Sequence, residues 1–117
     1  MEIFNDIRSW AYERGLYDKG DTKTQFIKLN EEVGELAEAI LKKDEKELID
    51  AIGDIVVVLT NLTYLANADI IKSDYVKIED CVRSAYNEIK DRKGKMDNGT
   101  FKKAWSIYAY SWCSSVK

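Results

Sequence analysis

The chain contains no histidine and no proline, and only two cysteines among 117 residues. Without histidine there is no Ser-His or Cys-His nucleophile pair, no HExxH zinc site and no imidazole acid or base. Any catalysis must run on carboxylates, lysines, arginines and hard metal ions. Without proline, nothing in the sequence forbids long helices. Cys81 and Cys113 have no metal-ligand spacing. One disulfide is formally open to them, but two thiols in a reducing compartment is the simpler expectation. No apolar run approaches the ~20 residues of a membrane helix, and the N-terminus lacks a signal-peptide pattern. A cytoplasmic chain with no membrane partner is therefore expected. The net charge of -3 is too mild to argue for a nucleic-acid surface or an acidic tail.

What is present suits one soluble domain. Hydrophobic residues make up 45% and charged residues 33%, the balance of a globular rather than a disordered chain. A first helix is expected over residues 3–14, with Ile7, Trp10 and Ala11 on one face and Gly15 ending it. The stretch "YDKGDT" reads as a turn. Thr22 followed by Gln25 has the spacing of a capping box and opens a second helix, on which Phe26, Leu29, Val33, Leu36 and Ile40 recur in steps of three and four. That helix should end near Lys42 or Lys43. Asp44 and Glu47 then offer an N-cap pair for a third helix running to about Ala66. Ser73 is the expected cap of a fourth helix ending before Gly94, with Tyr75, Ile78, Val82, Tyr86 and Ile89 turned inward. The short joint between the second and third helices implies an antiparallel pair. The fold class is all-α, a bundle of four to five helices.

The stretch "NEEVGELAEAI" carries the first candidate chemistry. At ~100° per residue, Glu31, Glu35 and Glu38 lie opposite the apolar stripe, with Glu32 toward its flank. Alone, that is the pattern of a solvated helix face. The third helix changes the balance. Glu47, Asp50, Asp54 and Asn61 form a stripe on a helix otherwise rich in Leu, Ile and Val. Buried carboxylates are expensive unless paired or bound to a cation, and Asp50 and Asp54, four apart, repel when both are ionised. Two readings answer this. One is a buried salt bridge to a lysine or arginine. The other is a divalent-cation site in which Asp50 and Asp54 face Glu32 and Glu35 across the helix pair. Oxygen ligands without sulfur or imidazole suit Mg2+ or Mn2+ rather than zinc.

A second cluster, Asn87, Lys90, Arg92, Lys93 and Lys95, gathers five donors at the end of the fourth helix. Complementing the helix dipole explains one or two of them. Five donors beside a glycine turn also match a polyphosphate, with lysines as point charges and arginine as a bidentate fork.

The segments "KLNEEVGELAEAI", "DAIGDIVVVLTNL" and "AYNEIKDRKGKMDNG", in that order over residues 5–99, resemble the MazG-like family of all-α nucleoside triphosphate pyrophosphohydrolases, especially its small phage and prophage members. The resemblance implies Mg2+-dependent hydrolysis of a (deoxy)nucleoside triphosphate to the monophosphate and pyrophosphate by metal-activated water. It places metal ligands at Glu32, Glu35 and Asp54 and makes Glu31 or Glu35 the proton acceptor. Lys90, Arg92, Lys93 and Lys95 become phosphate contacts, with Asn61 and Asn87 as polar supports. Many members carry a glutamate three residues before the aspartate of the second motif, where this chain has Ala51. Asp50, one turn before Asp54, is the substitute on the same stripe. Trp10 and Tyr17 are aromatics able to stack a base, although Trp10 also fits the apolar face of its helix.

Beyond Gly99 the family pattern gives out. Phe101, Trp105, Tyr108 and Trp112 recur in steps of four and three, the spacing of a fifth, aromatic-faced helix over residues 100–117 packing on the bundle, on a partner or on a membrane surface. Four short helices bury little area alone, so a homodimer or homotetramer is expected. A catalytically inactive nucleotide-binding or protein-interaction module of the same fold is the alternative function, and Ala51 is the feature in its favour.

Overall fold

The chain is seen in a computed structural model that describes residues 2–103. The elements are α1 (Glu2–Glu13), α2 (Leu16–Lys19), α3 (Thr22–Lys42), α4 (Glu45–Asp69), α5 (Ile78–Ile89), β1 (Gly94–Asp97) and β2 (Thr100–Lys103). They divide into two units, one ending at Cys81 and one beginning at Val82.

In the first unit α3 and α4 form an antiparallel hairpin, with α1 and the single turn of α2 packed on α4. The joint is as short as the sequence implies. Lys43 takes a left-handed conformation (φ 53°), and the amides of Lys43 and Asp44 donate to the carbonyls of Ile40 and Ala39, a Schellman end with lysine where glycine is usual. Asp44 at once caps α4, its Oδ1 accepting from the Glu47 amide at 3.1 Å. At the other end of the pair, the Thr22 hydroxyl donates to Asp69 Oδ2 at 3.0 Å.

Three boundaries differ from the sequence expectation. The "YDKGDT" stretch contains α2, begun by Gly15 at φ 75°. The cap of α3 is Asp21, whose Oδ1 accepts from the Thr24 amide at 2.7 Å; Thr22 and Gln25 form no capping box because Asp21 already fills that role. Ser73 does not cap α5. Asn67 clasps the backbone of Val76 on both sides, with Nδ2 to the carbonyl at 2.7 Å and the amide to Oδ1 at 2.8 Å. The chain therefore stays irregular past Tyr75, until the Lys77 amide finds Asp80 Oδ2 at 2.9 Å.

The core is built from small residues: Ala11, Ala39, Ala51, Val58, Leu65 and Ala66 are buried, with Glu32, Thr60, Asn61 and Thr63 among them. Thr60 and Thr63 return their hydroxyls to the carbonyls four residues earlier, which lets them sit inside a helix pair. α4 is long and apolar enough to match a membrane span by length and composition; its buried residues make it the core helix of this unit. The expected inner stripe of α3 is rotated. Leu29 and Leu36 are half-buried, while Phe26, Val33 and Ile40 are exposed, as are Ile49 and Ile52 on α4.

The second unit begins within α5, whose Val82, Tyr86 and Ile89 are exposed where the sequence turned them inward. A β-hairpin follows, in register Lys95↔Lys102 and Met96↔Phe101. Its two-residue turn is Asn98-Gly99, both at positive φ (51° and 78°), the pairing a type I′ turn requires. A Cβ at Gly94 would run into the Lys102 carbonyl, so only glycine lets the strands close here. Phe101 therefore lies in a strand rather than opening a helix, and Trp105, Tyr108 and Trp112 lie outside the described residues.

Candidate metal centre

The face of α3 turned to α4 reads Gln25, Leu29, Glu32, Leu36 and Ala39, in steps of four and three. Glu32 is thus at the centre of the seam rather than on its flank, and its side chain is only 6% exposed. Across the seam α4 presents Asp54, and Glu35 follows Glu32 by three residues. Oxygens of Glu32, Glu35 and Asp54 lie within 4.8 Å of one another.

Three carboxylates so close repel unless protons or cations intervene. The Glu35 carboxyl is accordingly pushed up, first by hydrogen bonding with Glu32, then by that neighbour's charge, with Asp54 adding and Lys28 opposing. Glu32 Oε1 lies 3.2 Å from Lys28 Nζ. Glu32 Oε2 is buried and has no hydrogen-bond partner among the described residues. An ionised oxygen left in that state costs several kcal/mol, on the order of an unmade charged hydrogen bond. A divalent cation between the three carboxylates removes the cost, so the donor set fits a hard ion of the Mg2+ or Mn2+ type.

The other expected ligand, Asp50, is not brought into this group. Its side chain is 57% exposed and pairs with Lys46 at 3.3 Å, one turn back on the same helix. One turn before Asp54 along α4, it meets Lys46 on its own helix rather than Glu32 and Glu35. Ala51 does face inward and is buried, but a methyl group supplies no ligand. Glu31 is 62% exposed and lies 3.6 Å from Lys28 Nζ, outside the triad.

Asn61 is fully buried on α4, and its Oδ1 accepts from the Tyr17 hydroxyl at 2.6 Å. Burial pushes the Tyr17 pKa up to about 12, so the phenol remains a donor. The Tyr17 ring stacks on Tyr64 with centroids 3.8 Å apart, and Tyr64 meets the edge of Tyr75 at 5.9 Å. Trp10 is not a core residue: it is exposed, with the Arg14 guanidinium 4.6 Å over its ring. Ala11 takes the buried position of α1, because the close approach to α4 has room for a methyl and not for an indole.

Asn87, Lys90, Arg92, Lys93 and Lys95 all belong to the second unit. Asn87 is on α5 and exposed, Lys90, Arg92 and Lys93 follow the helix, and Lys95 is on β1. Lys102, which the sequence does not mark as a phosphate contact, sits directly opposite Lys95, so the hairpin sets two like charges side by side. Such a pair is mildly destabilising. Lys28 was also passed over, although its spacing of four from Glu32 is legible.

The model of the MazG nucleotide pyrophosphohydrolase domain matches residues 21–96. The chain is also similar to an uncharacterized 18.2 kDa protein from the rep-hol intergenic region of Haemophilus phage HP1 (strain HP1c1), 37% identical over 62 residues, or 53% of this chain and 38% of the phage protein. The chain thus spans well under half the length of that relative. No solved structure matches it.

Proposed function

Because the chain belongs to the MazG nucleotide pyrophosphohydrolase family, we propose that it hydrolyses a (deoxy)nucleoside triphosphate to the monophosphate and pyrophosphate, with Mg2+ or Mn2+ as cofactor. The observation that carries this reading is the buried, unpartnered Oε2 of Glu32 inside the Glu32, Glu35 and Asp54 triad. An acidic cluster is common on protein surfaces; a buried oxygen with nothing to bind is not.

When bound, the ion supplies neutralisation of phosphate charge and a lowered pKa for water. The residues do the rest. Glu32 and Asp54, one from each helix of the pair, would hold the ion. Glu35, on the exposed edge of the triad, would complete the ligand set and could accept the proton of the attacking water. Glu31, paired with Lys28, is the alternative proton acceptor in this reading. Lys90, Arg92, Lys93 and Lys95 offer the positive charge that stabilises a leaving pyrophosphate, and the apposed Lys95 and Lys102 support an anion at the hairpin. Asn61, aligned by the Tyr17 hydroxyl, is a polar support beyond the triad.

The exposed apolar residues of α3 and α4, together with an apolar groove of about 430 Å³ lined by Phe26, Ile27, Leu62 and Ile70, support a homo-oligomer in which a second copy covers this surface. The exposed thiol of Cys81 suits a reducing cytoplasm.

Pyrophosphate release from each common NTP and dNTP, with and without Mg2+, is the direct test. Absence of turnover in every case sinks the enzymatic reading. The buried Ala51 favours one second reading, a module that binds nucleotide without cleaving it. Metal-dependent nucleotide binding with no pyrophosphate release is the outcome that selects it.

A further inference from the structure

The fixed charges around the triad bear on how many ions it takes. Glu32, Glu35 and Asp54 carry three negative charges when ionised. Lys28 sits one turn before Glu32 on the same helix, its side chain 51% exposed. Its ammonium lies 3.2 Å from Glu32 Oε1, and its field reaches Glu35 as well. The same ammonium also lies 3.6 Å from Glu31, so it offsets only part of the triad's negative charge.

Of the neighbouring carboxylates, Glu31 shares Lys28 with Glu32, and Asp50 is answered by Lys46. Position 51 holds a buried alanine, which brings no fourth carboxylate into the seam. The two oxygens of Glu32 are also divided in a telling way. Oε1 is taken by Lys28 while Oε2 stands open, so the lysine occupies one coordination direction and leaves the other.

We infer that this chain holds a single divalent ion at Glu32, Glu35 and Asp54, with Lys28 as a built-in second cation that takes the place of a second ion. The inference rests on reading the triad as a metal site. Lys28 is a positioning residue in this scheme: it fixes the Glu32 carboxylate and sets the net charge that the ion meets. Being of like charge to the ion, it also holds metal affinity below what the bare triad would reach.

The test is titration of the full chain with Mn2+, free ion being followed by electron paramagnetic resonance, for the wild type, Lys28→Met and Lys28→Arg. The expected result is one Mn2+ per wild-type chain. Lys28→Met should bind Mn2+ about three- to tenfold more tightly, because a like charge a few ångströms away has gone. Lys28→Arg keeps the charge and should stay within about twofold of wild type. Two ions of comparable affinity per wild-type chain overturn the inference and leave the metal-dependent reading intact. Unchanged or weaker Mn2+ binding by a helical Lys28→Met does the same, and should that variant fail to fold, the wild-type stoichiometry decides. A wild-type chain that binds no Mn2+ overturns both readings together.

Discussion

The first unit contains two largely buried carboxylates that each meet a cation, and they are built to opposite ends. Glu79 and Arg8 are both 11% exposed. The two guanidinium nitrogens donate to the two carboxylate oxygens at 2.8 and 2.7 Å, and the second nitrogen also reaches Asn5 Oδ1. Nothing on Glu79 is left over, and the Arg8 hydrogen bonds hold its carboxyl down to about 2. Glu32 is as deeply buried, but a lysine satisfies only one of its oxygens and two further carboxylates crowd the other side. A bidentate arginine pair is closed and ties α1 to the start of α5. The glutamate with one open oxygen is stable only if something else arrives. Completeness of pairing, rather than burial, separates the structural carboxylate from the one proposed to hold the ion.

Substitutions can break this contrast. Removing the open carboxylate should act on chemistry and spare the fold. Glu32→Gln and Asp54→Asn are each expected to lower Mg2+-dependent pyrophosphate release by about a thousandfold, with helicity by circular dichroism retained. Near-normal turnover in either variant means that the ion is held elsewhere. Removing the closed carboxylate should act on stability instead. Glu79→Gln leaves Arg8 without its charge partner and should cost about 2–4 kcal/mol in urea unfolding.

The same pair predicts a pH dependence. The folded value of Glu79 lies below its ordinary 4.5, so its contribution is complete above that value and is lost as pH falls from about 4.5 toward about 2. The wild type should lose stability through this window more steeply than Glu79→Gln. Parallel curves would show that the pair contributes little.

Two smaller effects sharpen the comparison. Tyr17→Phe deprives the buried Asn61 Oδ1 of its donor and should cost about 1–2 kcal/mol. Asp50→Asn removes only an exposed pair with Lys46 and should change stability by less than about 0.5 kcal/mol and turnover by less than about threefold. A large loss of turnover would return Asp50 to the ligand set.

The helical hairpin was largely legible in advance, because Asp44 with Glu47 marks a cap and the apolar steps on either side have helical period. Glu32, Glu35 and Asp54 were legible as acids on facing helices. What misled was the rotation of α3. Phe26, Val33 and Ile40 look like a core stripe, and they are exposed. The two helices meet instead along small residues and Glu32, which hydrophobicity alone ranks last. The hairpin of β1 and β2 carried a plain signal, Asn98-Gly99 between short alternating segments, which was overlooked because the lysines around it drew the reading toward phosphate.

The sequence by itself determined the elements and the chemistry open to them: helices from periodicity and caps, and oxygen-based metal chemistry from abundant acids and no histidine. Only the tertiary structure decided which acids meet. Helical spacing names a face but not what that face touches, and Asp50 and Asp54 differ by one turn of the same helix. Packing of α3 on α4 put Asp54 beside Glu32 and Glu35 and left Asp50 to Lys46. The closeness of that packing, made possible by Ala39 and Ala51, drew Glu32 out of water with one oxygen unanswered.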